Sequence, residues 1–118
     1  MRRHNNSHRR ALEKIAGHPE KFGFNHPVSV SIETTLYHEG RIIAQPDIIL
    51  ELRNGNIEIH IVEYKGSGNG ELLDRARKQL ENAKWWYGRH RPDISLENIY
   101  THLISGDDPK YKDLLRGR

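Results

Sequence analysis

The chain has 118 residues and no cysteine, so disulfides, thiolate metal sites and a cysteine nucleophile are excluded together. Its length suits one domain over residues 1–118, and 35% hydrophobic against 30% charged residues predicts a small core beneath a highly charged surface. The net charge of +3, with a pI near 9.3, is a moderate basic excess; it clusters in MRRHNNSHRR at the start, RARK at 75–78, RHR at 89–91 and the final LLRGR, as a nucleic-acid partner would require.

No apolar run approaches membrane-spanning length, and the basic start lacks the apolar region of a signal peptide. A soluble, cytoplasmic protein with no membrane partner is expected. Residues 1–7 read as a flexible basic arm that includes His4, and Ser7 suits the N-cap of a short helix over 8–16. Leu12, Ile15 and Ala16 are the apolar positions of that helix, and Gly17 and Pro19 mark its end. Val28-Ser29-Val30-Ser31-Ile32 alternates with a period of two, and the β-rich run continues to Tyr37, predicting a first strand over 28–37. After a turn at His38-Glu39-Gly40, a second strand runs over 41–50, interrupted by Pro46, which has no N–H to offer a sheet.

The third strand, 57–65, is the clearest, with Ile57, Ile59, Ile61, Glu63 and Lys65 facing one way and Glu58, His60, Val62 and Tyr64 the other. Gly66-Ser67-Gly68-Asn69-Gly70 lacks the Lys-Ser/Thr ending of a phosphate loop; it reads as a linker, and no nucleotide cofactor is expected. A long helix over 71–87 carries Leu72, Ala76, Gln79, Leu80, Ala83, Trp86 and Tyr87 on one stripe, with Gly88 as its stop. Trp85 falls off the stripe, which suits a dimer interface ahead of the alternative, a base-stacking platform. A fourth strand over 98–105 follows a crossover, so it should lie parallel to the third. Asp108 and Pro109 then open a helix to 115. The order α-β-β-β-α-β-α predicts an α/β (α+β) fold whose mixed central sheet is flanked by helices.

Arg53-Asn54-Gly55-Asn56 joins the second and third strands, and Asn-Gly between apolar runs predicts a type I′ turn with both central residues at positive φ. The hairpin returns Asp47 towards Glu63 and Lys65. Two carboxylates and an ammonium at one end of a sheet suit a hard divalent cation and chemistry on a phosphate. The alternative is a Lys–carboxylate ion pair at a strand end, which would be worth little.

Pro46-Asp47 followed by Glu63-Tyr64-Lys65 resembles the PD-(D/E)XK nuclease superfamily, over roughly residues 12–105. With Ile48-Ile49 after the aspartate, the chain is most similar to the archaeal Holliday-junction resolvases. The resemblance implies a restriction-endonuclease-like core and Mg²⁺-dependent DNA cleavage leaving a 5′-phosphate, with Mn²⁺ able to substitute. It implies Asp47 and Glu63 as metal ligands, the Tyr64 backbone carbonyl as another, and Lys65 as the residue that orients water or stabilises developing charge. Glu13, on the first helix, matches a glutamate of many resolvase-like members, and Glu33 competes for that role. Gln79 matches a supporting glutamine on the helix after the motif, but Ala83 stands where RecB-like nucleases have a tyrosine. Branched DNA has two-fold symmetry, so a homodimer is expected. Arg2, Arg3, Arg9, Arg10, Arg75 and Lys78 are candidates for contacting DNA. The competing functions are a restriction- or repair-type nuclease on duplex DNA and a non-catalytic nucleic-acid-binding module. Of the histidines, His4 and His8 could stack on or contact phosphates from a basic arm, the plainer reading being a frayed tail; His18, His26, His38, His60, His90 and His102 show no zinc-ligand spacing, and no zinc is expected.

Overall fold

The isoleucine-rich run through residues 48–62 forms the centre of the molecule, since β-branched side chains pack well on both faces of a pleated sheet. A computed structural model describes residues 6–66 and 70–115. Helix α1 (Asn6–Gly17) leads through a 3-10 turn (Pro19–Phe22) to strand β1 (Ser29–Ile32) and a short hairpin of β2 (Leu36–His38) and β3 (Arg41–Ala44). A long hairpin of β4 (Ile48–Asn54) and β5 (Asn56–Lys65) follows, then α2 (Gly70–His90), a second 3-10 turn (Leu96–Asn98), β6 (Ile99–Ser105) and α3 (Pro109–Leu115). The main sheet has the order β1-β4-β5-β6. It is antiparallel except where β6 runs parallel to β5, pairing Ile59 with Ile99 and Lys65 with Ser105. The fold is therefore α+β with a mixed four-stranded sheet, and the crossover through α2 explains the parallel pair.

Both faces of β5 are buried. Val62 and Tyr64 pack with Leu12 and Ile15 of α1, while Ile59 and Ile61 pack with Leu80, Ala83 and Tyr87 of α2. A central strand between two helical layers has no solvated face, so the alternation of β5 separates two cores rather than core from solvent. Helix α3 closes the α1 side: Lys110 N–H donates to Asp108 Oδ1 at 2.9 Å, capping it, and Lys14 Nζ donates to the Leu115 carbonyl at 2.7 Å.

Several boundaries differ from expectation. Helix α1 begins at Asn6, so Ser7 lies within it rather than capping it, and residues 1–5 of the expected arm lie outside the described residues. The predicted first strand is two. Glu33 takes a left-handed backbone (φ 54°) and its N–H donates to the Asp47 carbonyl at 2.8 Å, turning the chain out of the main sheet before β2. The predicted second strand is also two, since buried Pro46 separates β3, paired only with β2, from β4. Gly88 does not stop α2, which runs on to His90; a Cβ at Gly88 would come within 2.8 Å of Leu96 Cδ2, the end of an exposed side chain that can turn away.

The β4–β5 turn is not type I′. Only Gly55 has positive φ (79°), and Asn54 pairs with Asn56. The register therefore runs Ile48 with Val62, and its continuation sets Asp47 opposite Glu63. A type I′ turn centred on Asn54-Gly55 would slip the pairing by one residue and put Asp47 on the face opposite Glu63.

Away from that end of the sheet, burial and then the neighbouring His60 lower His102 to about 4. An unfolded histidine titrates near about 6.5, so between those values the unfolded chain binds the extra proton. Stability should therefore fall as pH drops through that window and be insensitive to His102 above it. Thermal melts across the window should show this slope, and His102→Gln should flatten it; an equal slope in the variant would assign the effect to other groups.

Candidate functional site

Among the described residues, Asp47 and Glu63 are the two buried polar or charged side chains, 9% and 3% exposed. A buried carboxylate is costly unless donors replace its water. Here the backbone supplies them. Asp47 N–H donates to Glu63 Oε1 at 2.9 Å, and Tyr64 N–H donates to Asp47 Oδ2 at 2.7 Å. The hairpin thus folds each carboxylate onto the opposing strand, and both positions are fixed by main chain.

In an extended strand the N–H and C=O of one residue project to the same edge. Tyr64 gives its N–H to Asp47, so its carbonyl also faces the β4 side, as the resemblance implies for a ligand. Carried two residues past its last pair, Ile48 with Val62, the register would bring Pro46 opposite Tyr64, and proline has no N–H with which to occupy that carbonyl. The Tyr64 ring lies on the far face near His8, with ring centres 5.7 Å apart; burial, and then the Asp107 carboxylate, push its phenol above the ordinary range.

A pocket of about 90 Å³ opens over the carboxylates, lined by His8, Glu33, Gln45, Asp47, Glu63, Lys65 and Gln79. The predicted Asp47, Glu63 and Lys65 therefore come together, with Gln79 and Glu33 beside them. Gln79 Oε1 accepts the Gln45 N–H at 3.0 Å, tying α2 to the segment that leads into Asp47. Of the two competing acids, Glu33 lines the pocket and Glu13 does not: the Glu13 side chain is 58% exposed and lies 3.6 Å from Arg9 Nε. Arg9 also donates to Glu33 Oε2 at 3.2 Å, so its charge is turned inward. Arg75 is paired with Glu71 at 2.9 Å, while Arg10 and Lys78 are exposed. Arg2 and Arg3 lie outside the described residues. Trp85 is 45% exposed, edge-on to His38 and with the Arg89 guanidinium over its ring at 5.4 Å.

Sequence reasoning missed His8 and Gln45. His8 Nε2 lies 3.2 Å from Asp47 Oδ1, which makes it a direct neighbour of the first carboxylate. A signal was available: His8 stands one helical turn before Leu12 and two before Ile15, on the stripe that α1 buries. No group of three or more His, Asp or Glu side chains among the described residues is gathered as a ready metal cage. The pocket instead offers two fixed carboxylates, with Glu33 and the Lys65 ammonium beside them, a donor set for a cation that keeps most of its water. No helix is long and apolar enough to cross a membrane among the described residues. Compared with protein-family models, curated proteins and solved structures, the chain has no match.

Proposed function

We propose that this protein is a divalent-metal-dependent endonuclease with a restriction-endonuclease-like core, hydrolysing DNA phosphodiester bonds and acting on branched junctions as a homodimer. The observation that carries the reading is the meeting of two buried carboxylates, Asp47 and Glu63, in one pocket that Lys65 also lines. An ion pair at a frayed strand end would not need both acids buried and held by backbone N–H groups. The order of helix, antiparallel strands, crossover helix and parallel strand supports the same reading.

The residues fit Mg²⁺, which takes one or two carboxylates and retains several waters. Asp47, Glu63 and the Tyr64 carbonyl would hold it, and Mn²⁺ would fit the same donors. When bound, it would supply charge neutralisation at the phosphoryl oxygens and a more acidic water. The chain's own residues do the rest. Lys65 stabilises negative charge that develops on the phosphate. His8 buttresses Asp47, and Gln79 fixes Gln45 and hence the entry to Asp47. Exposed Arg10 and Lys78 are free to meet phosphates, whereas Arg9 and Arg75 serve intramolecular pairs.

The test is cleavage of a four-way junction beside a linear duplex of the same arms, with Mg²⁺ or Mn²⁺. Junction cleavage should exceed duplex cleavage, and Lys65→Ala should lower it by roughly 100-fold or more while leaving DNA binding in place. Preferential duplex cutting would favour the restriction- or repair-type nuclease. Salt-sensitive binding with no metal-dependent cutting would favour the non-catalytic module.

A further inference from the structure

We propose that His60 and His102 form a second metal site, for an imidazole-preferring transition ion such as Zn²⁺, on the sheet face opposite the carboxylate pocket. The parallel register pairs His60 with Tyr100 and Val62 with His102, which brings the two imidazoles diagonally together on one face. His60 Nδ1 and His102 Nε2 face each other at 2.8 Å. His60 Nε2 lies 3.0 Å from Glu58 Oε1; a carboxylate only accepts, so that nitrogen carries the proton and His60 Nδ1 presents its lone pair.

This is the arrangement of a metal-binding histidine oriented by a carboxylate behind it. In the ion-free protein the proton between the facing nitrogens sits on His102 Nε2; when a divalent ion takes that place, His102 changes tautomer and carries the proton on Nδ1, so both imidazoles stay neutral. Two metal–nitrogen bonds of about 2.0–2.1 Å at a tetrahedral angle set the nitrogens roughly 3.3 Å apart, so the rings need separate by only about half an ångström. The two rings lie near one plane, with centres 5.0 Å apart and planes 18° apart, so the facing nitrogens meet head-on and each ring must also tilt to aim its lone pair at one ion. Tyr100 stacks on His60 with ring centres 4.7 Å apart, and Phe24 meets His60 and His102 edge-on at 5.5 and 5.0 Å. Imidazole nitrogens select zinc, copper or nickel over magnesium and calcium. With two protein ligands, water completes the shell.

The site is independent of the nuclease reading. Its ligands occupy even-numbered positions of β5 and β6, whereas Glu63 lies on the odd-numbered face of β5. Tag-free protein in excess Mg²⁺ would be titrated with Zn²⁺ while imidazole ¹⁵N shifts are followed by NMR. One Zn²⁺ should bind, moving His60 Nδ1 and His102 Nε2. Glu58→Gln should weaken binding roughly 10–100-fold without removing a ligand. His102→Gln should abolish it, and His90→Gln, at the other close histidine pair (His38 Nδ1 to His90 Nε2, 2.9 Å), should leave it unchanged. Shifts confined to other histidines, or none at all, would overturn the proposal even if His102→Gln failed to fold, because the wild-type spectrum alone decides.

Discussion

Glu63→Gln should abolish metal-dependent cleavage, by roughly 100- to 1000-fold, without weakening the ion-free fold. The substituted amide keeps an oxygen that can accept the Asp47 N–H, so the backbone contact at 2.9 Å survives. What is lost is one of two negative charges buried side by side. With no cation present, two carboxylates gathered at one pocket repel each other, which offsets part of what their hydrogen-bond donors supply. The variant should therefore melt at the same temperature as the wild type or higher. Added Mg²⁺ should raise the wild-type midpoint by mass action and leave the variant unmoved. A variant that cleaves at the wild-type rate, or that still gains stability from Mg²⁺, would remove Glu63 from the site.

Gly106→Ala should be the most disruptive small substitution near the site. A Cβ there would meet Tyr64 Oη at 2.7 Å, the Gly66 carbonyl oxygen at 2.8 Å and Gly66 Cα at 3.3 Å. Two of these are backbone, immediately after Lys65, and cannot rotate away. Gly106 N–H also donates to the Lys65 carbonyl at 2.8 Å, so relief by backing off the strand loses a hydrogen bond. Overpacking of this kind costs about 1–3 kcal/mol, measurable as a lower urea midpoint with unchanged slope. Adding Tyr64→Phe removes the phenolic oxygen but not the Gly66 contacts, so the double variant should recover part of the loss. Full recovery would place the strain in the phenol alone, and none would place it in the backbone.

The pattern of residues carried much of the fold. Period-two alternation located β5, the apolar stripe located α2, and the crossover predicted the parallel β6. It failed where a single backbone conformation decides. Glu33 reads as a strand residue by its neighbours, yet its left-handed φ splits one strand into two sheets and delivers its side chain to the pocket. Asn54-Gly55 has the composition of a type I′ turn, but the longer pairing with Gly55 alone at positive φ sets the register that faces Asp47 with Glu63. The trio of Asp47, Glu63 and Lys65 was legible because its three residues flank one hairpin. His8 and the His60–His102 pair were not, because α1 meets Asp47, and β6 meets β5, only in three dimensions, across 39 and 42 residues of chain.

Whether Asp47 and Glu63 together hold a divalent cation can be read from Mn²⁺ binding followed by electron paramagnetic resonance. One bound Mn²⁺ is expected in the wild type, displaced by excess Mg²⁺, lost in both Asp47→Asn and Glu63→Gln, and kept in His102→Gln. Mn²⁺ that binds equally well to the Asp47→Asn and Glu63→Gln proteins would contradict it.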